Sequence, residues 1–195
     1  MMGRINAWWA RGPSARTLII LIALAAAAVV VRWYIVAPLF AQQLGFIPFD
    51  LQPRLNQGML VIQMGAARGH PFNRLYGAFV MSDIPISLML AFATVAVWRW
   101  LHLKTPNRAY DLLAAGGIML LPVIVAAAEM VEHRVVFDLL QSRGREGYAD
   151  AVELLVRVHN VKAALVFMRD GATVVFLAAT GILVFLRRKT GGAHT

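Results

Sequence analysis

Apolar residues along this chain run in long, nearly uncharged blocks, without the regular alternation that marks a half-buried strand or a one-sided helix. Four blocks, residues 17–39, 77–99, 111–132 and 162–186, are long enough to cross a hydrocarbon core of about 30 Å as helices of about 20 residues. The first intervening segment, 40–76, is punctuated by Pro48, Pro53, Gly69 and Pro71. Inside it "RLNQGMLVIQMGAA" places Leu55, Met59, Ile62 and Met64 at loosely helical spacing, which predicts a short interfacial helix. The second, 133–160, intersperses Asp138, Glu146, Asp150 and Glu153 with Arg143, Arg145 and Arg157. It reads as two solvated helix ends joined by a Gly144/Gly147 turn. With no internal repeat, the expectation is one all-α membrane domain over residues 1–195, a polytopic bundle of four transmembrane helices. Pro85 and Pro122 are expected to kink the second and third spans.

Composition agrees with a bilayer as the solvent. The chain is 59% hydrophobic and 15% charged with a mean hydropathy of +0.65, which excludes an ordinary soluble domain. The absence of cysteine excludes disulfides, thiolate zinc sites, cysteine-ligated iron–sulfur clusters and covalent c-type haem. The net charge of +9 is concentrated. Arg4, Arg11, Arg16, Arg99, Lys104, Arg108, Arg187, Arg188 and Lys189 flank the spans on one side and share it with a single acid, Asp111. By the positive-inside rule both termini and the middle loop are cytoplasmic, and the expected location is the bacterial inner membrane. No nucleic acid is expected as a partner, because the basic residues lack interleaved aromatics or a recognition motif. A cleaved leader would also begin with Arg-led apolar sequence, but "AAAAVVV" runs on into "RWYIVAPLF", as in a retained span. Trp8, Trp9, Trp98 and Trp100 fit a cytoplasmic interfacial belt, and Trp33 and Tyr34 an outer one.

Counting from the cytoplasmic ends at 1.5 Å per residue brings an ionisable group of every span to one level. Arg32 lies about 24 Å from Arg16, Asp83 about 24 Å from Arg99, Glu129 about 27 Å from Asp111, and Asp170 about 25 Å from Arg187. Charges at membrane depth normally pair, face the bundle interior or line a wet cavity. Here Arg32 and Arg169 can pair with Asp83, Glu129 and Asp170. Glu129, Glu132 and His133, at i, i+3 and i+4, share one face of the third span and point to a polar chamber near the outer surface. A plain salt-bridge cluster is the competing explanation for the layer. Glu129, Glu132, His133 and His159 could ligate a metal, but a di-iron bundle needs Glu-x-x-His on two helices, so neither a metal nor another cofactor is expected. A proton path would need groups at successive depths, whereas these form one layer. A polar head above an apolar shaft suits a membrane lipid or amphipathic small molecule.

Three short motifs carry a resemblance. "PFDLQP" after the first span, "SDIPISL" in the second and "LLPVIVAAAEMVEH" in the third resemble the EXPERA-domain family, which includes emopamil-binding protein and related sterol-handling membrane proteins. The likeness covers roughly residues 36–135 and implies that Asp50, Asp83 and Glu129 are pocket acids. It also implies binding of sterol-like or cationic amphiphiles, with double-bond isomerisation by paired carboxyl groups in some members. Asp83-x-Pro85 is tighter than the family spacing, and the fourth span is dissimilar. The chain also resembles uncharacterised bacterial four-span membrane proteins that share the "FD" pair, a Gly-rich loop and a second-span aspartate. The expected site is therefore catalytic Asp83 and Glu129, with Asp50, Arg32, Glu132, His133, Arg169 and Asp170 around a ligand. The alternative is a non-catalytic subunit or assembly factor, whose charge layer meets a membrane-protein partner or another copy of the chain.

Overall fold

The computed structural model describes residues 12–66, 70–105, 108–142 and 146–191. Arg4, Trp8, Trp9, Arg11, Gly69, Arg143, Gly144 and Arg145, which figure in the sequence reading, lie outside them. Every regular element among the described residues is helical. Helix α1 (Ala15–Val31) starts where the Ser14 hydroxyl accepts the Thr17 amide at 3.1 Å. It passes through one wide π-turn (Arg32–Val36) into α2 (Ala37–Leu44). The local cause is Pro38, which has no N–H to continue the ladder; the Ala37 N–H instead reaches back five residues to the Arg32 carbonyl. Gly45, in the left-handed conformation at φ 80°, ends α2 with a 2.8 Å bond to the Ala41 carbonyl.

A single 3-10 turn at Phe49–Leu51 and helix α3 (Gln57–Ala66) follow, the latter capped by the Asn56 side chain on the Met59 amide at 2.9 Å. A short helix therefore forms in the expected segment, but it buries a different stripe. Leu55, Leu60 and Met64 are buried, while Met59 and Ile62 face outward. Then come α4 (His70–Lys104), with Pro85 in its interior, α5 (Arg108–Ala115), a 3-10 turn (Ile118–Leu120), α6 (Leu121–Ser142) and α7 (Tyr148–Gly191).

Among the described residues, three helical stretches are long and apolar enough to cross a membrane: Ala15–Leu44, Arg74–Lys104 and Tyr148–Phe185. The expected third span is not one helix. It breaks after α5 at Gly117, whose φ of +79° is one that side chains disfavour, and Pro122 stands as the second residue of α6, starting a helix and not kinking one. Beyond the break α6 carries Glu129, Glu132, His133, Arg134 and Asp138.

Helix α6 packs along α7 and against α4, and α4 packs on α1. Two apolar cores result. The outer one gathers Phe40, Phe49, Leu60, Met64, Tyr76, Phe79, Leu139 and Leu155; the inner one gathers Trp98, Leu101, Tyr110, Val125 and Phe176. Polar contacts fix the inner register: the Trp98 indole donates to Thr173 Oγ1 at 2.9 Å, and the Tyr110 hydroxyl meets the Phe176 carbonyl at 2.9 Å and Thr180 Oγ1 at 2.6 Å. Trp98 is thus core, not belt. Along α4, α6 and α7 the segment between the two cores carries Asp83, Glu129 to His133, and His159 to Lys162.

Candidate functional site

Arg32 opens the π-turn, and its side chain runs into the gap between the two cores. There its Nη2 donates to Asp50 Oδ2, to Asp83 Oδ2 at 3.3 Å and to Glu129 Oε1 at 3.2 Å, while Nε lies 3.1 Å from Asp83 Oδ1. The buried Ser87 lies one turn along α4 from Asp83. His133 Nε2 lies 3.0 Å from Asp83 Oδ2. All of these side chains are buried, so one guanidinium gathers three carboxylates delivered by a loop and two helices. The oxygens of Asp50, Asp83 and Glu129 lie within 4.8 Å of one another, near enough to ligate a cation, but the Arg32 guanidinium takes the place such an ion would need. The donor set therefore does not fit a metal while Arg32 stays in position.

A second ion group adjoins the first. Glu132 Oε1 lies 2.7 Å from His159 Nδ1, and Glu132 Oε2 pairs with Lys162 Nζ. Lys162 also donates to the Asp50 backbone carbonyl at 3.3 Å, tying the two groups together. Burial pushes the Asp50 carboxyl up to about 6, against the lowering pull of the Arg32 and Lys162 cations. Buried polar atoms around these two groups that have no hydrogen-bond or ion-pair partner among the described residues include Asp50 Oδ1, Ser87 Oγ, His133 Nδ1 and His159 Nε2.

The structure brings Arg32, Asp50, Asp83, Glu129, Glu132 and His133 together; Arg169 and Asp170 lie apart from these ion groups, although Asp170 lines the groove described below. Those two pair with each other at 2.8 Å, and the Asp170 side chain is 61% exposed. The reason is the starting point of the depth count. Thr180 sits beside Tyr110 and Thr105, just past the end of α4, so the point of α7 level with that end lies seven residues before Arg187. From Thr180, Lys162 is eighteen residues away, about 27 Å, as far along as the other charges are by the count, while Asp170 is only about 15 Å away. Sequence reasoning missed Lys162 altogether and weighed His159 only as a metal ligand. Their i, i+3 spacing, which matches that of Glu129 and Glu132 on the neighbouring helix, was the available signal.

Beside this layer an open groove of about 510 Å³ runs between the loop at Asp50–Pro53 and α7. Asp50, His159 and Lys162 line its polar part, and Val166, Phe167 and Val174 its apolar wall. Asp83 and Glu129 are not among its lining residues. Neither protein-family models, curated proteins nor solved structures give a match to this chain.

Proposed function

We propose that this chain is an inner-membrane protein of four spans, with both termini cytoplasmic, that holds a membrane lipid or similar amphiphile in the groove beside α7. The distribution of basic residues supports the topology, with the broken α5–α6 segment as the third crossing. The groove carries the functional reading: it joins a head of buried, incompletely bonded polar atoms to an apolar wall that includes the exposed Phe167 and Val174. No isomerase step is proposed. Both Asp83 and Glu129 direct oxygens to Arg32, and neither lines the groove, so no substrate position between them is defined.

Native mass spectrometry of the gently purified protein beside Ala163→Trp tests the reading, because Ala163 lines the groove without belonging to an ion pair. The wild type is expected to retain a small adduct that Ala163→Trp loses. Absence of any adduct, or equal retention by the variant, overturns it. A second reading, as a subunit of a larger membrane complex, is favoured by Asp170, an exposed carboxylate on an apolar helix about 15 Å from the inner boundary. A stoichiometric protein partner or a dimer in the same spectra supports that reading.

A further inference from the structure

The head of the groove has a defined hydrogen-bonding character. His159 is 2% exposed and gives its Nδ1 to Glu132 at 2.7 Å, which leaves Nε2 buried and unpartnered. Asp50 gives Oδ2 to Arg32 and leaves Oδ1 in the same condition. Lys162 Nζ has three hydrogens; Glu132 takes one and the Asp50 carbonyl another, so one remains for a ligand. These three residues line the same groove. Unmet polar atoms at this burial are costly, so a ligand group that bonds to them is favoured.

We propose that the groove selects a neutral lipid alcohol, anchored by its hydroxyl between His159 Nε2, Asp50 Oδ1 and Lys162 Nζ, with its chain along Val166, Phe167 and Val174. This inference rests on the amphiphile-binding reading and adds the headgroup to it. A hydroxyl both donates and accepts, so it can donate to Asp50 Oδ1 or a neutral His159 Nε2 and accept from Lys162, and it still fits when His159 is protonated and Nε2 becomes a donor. An anionic head would lie against the Asp50 carboxylate and, further along the groove, against Asp170. An ammonium head would lie against Lys162 Nζ, with Arg32 behind Asp50.

The test uses three probes with one chain and different heads, oleyl alcohol, oleate and oleylamine. Each is doped at equal mole fraction into phosphatidylcholine nanodiscs holding the full-length protein, and retention is read by native mass spectrometry after release from the disc. The alcohol is expected to be retained at least about tenfold over either charged analogue, equivalent to about 1.4 kcal/mol. His159→Phe should remove that preference. Because His159 also bonds to Glu132, Ala163→Trp serves as a second variant that should abolish retention while leaving the ion pairs intact. Preference for oleate or oleylamine, or equal retention of all three, overturns the headgroup assignment and leaves amphiphile binding standing. Retention of none overturns both.

Discussion

The two ion groups between the cores are built from the same kinds of side chain and differ in how completely their bonds are closed. Around Arg32 the guanidinium faces three carboxylates, the layer is roofed by the aromatic outer core, and the groove touches it only at Asp50. Around Glu132 the pairs to His159 and Lys162 lie against the groove, and His159 Nε2 is left over. Burial alone therefore does not separate a fastening from a binding head. The difference lies in spare valences and in what lies next to them.

Removing the centre of the closed group should cost most. Arg32→Met leaves Asp50, Asp83 and Glu129 facing one another without a cation and is expected to lower stability by about 3–5 kcal/mol, read as the shift in the detergent or heat unfolding midpoint. Lys162→Met should cost less, about 1–3 kcal/mol, because Glu132 keeps its bond to His159. If Lys162→Met proves as damaging as Arg32→Met, the contrast between a closed and an open group is lost. Asp50 belongs to both groups and gives a pH signature. Its folded carboxyl binds a proton more tightly than the ordinary 3.8, so its contribution is fully present at low pH and is lost as pH rises through about 6. The stability difference between wild type and Asp50→Asn should therefore change between about pH 4 and pH 6, with the wild type becoming the less stable relative to the variant as pH rises. A flat difference over that window would show that Arg32 keeps this carboxylate ionised throughout. The smallest effect is expected far from both groups. Trp98→Phe removes the indole bond to Thr173 and should cost about 1 kcal/mol without changing adduct retention.

Much of this arrangement is legible in the sequence, because hydropathy and charge spacing are one-dimensional signals. The three apolar helices and the convergence of Arg32, Asp83 and Glu129 follow from run length and residue counting. Counting fails where a boundary is set by tertiary contacts: Thr180 ends the buried part of α7 because Tyr110 and Thr105 meet it, and no hydropathy step marks that point. The break at Gly117 is hidden for a similar reason. Two adjacent glycines within an apolar run read as close packing, and only the backbone conformation reveals the turn. Asp50 came from motif likeness, since a carboxylate in a loop has no depth to count. Its place beside Arg32 depends on the 3-10 turn that follows Pro48.

The chemistry of α6 also bears on how such a chain would be assembled. With Glu129, Glu132, His133, Arg134 and Asp138 in twenty-two residues, α6 is a poor candidate for partitioning into a bilayer on apolarity alone. The partner of Glu129, Arg32, emerges from the ribosome before it, but the partner of Glu132, Lys162, emerges thirty residues after it. On the four-span topology, α6 would settle in the membrane only as a hairpin with α7, so a chain stopped before Lys162 would leave α6 waiting at the translocon.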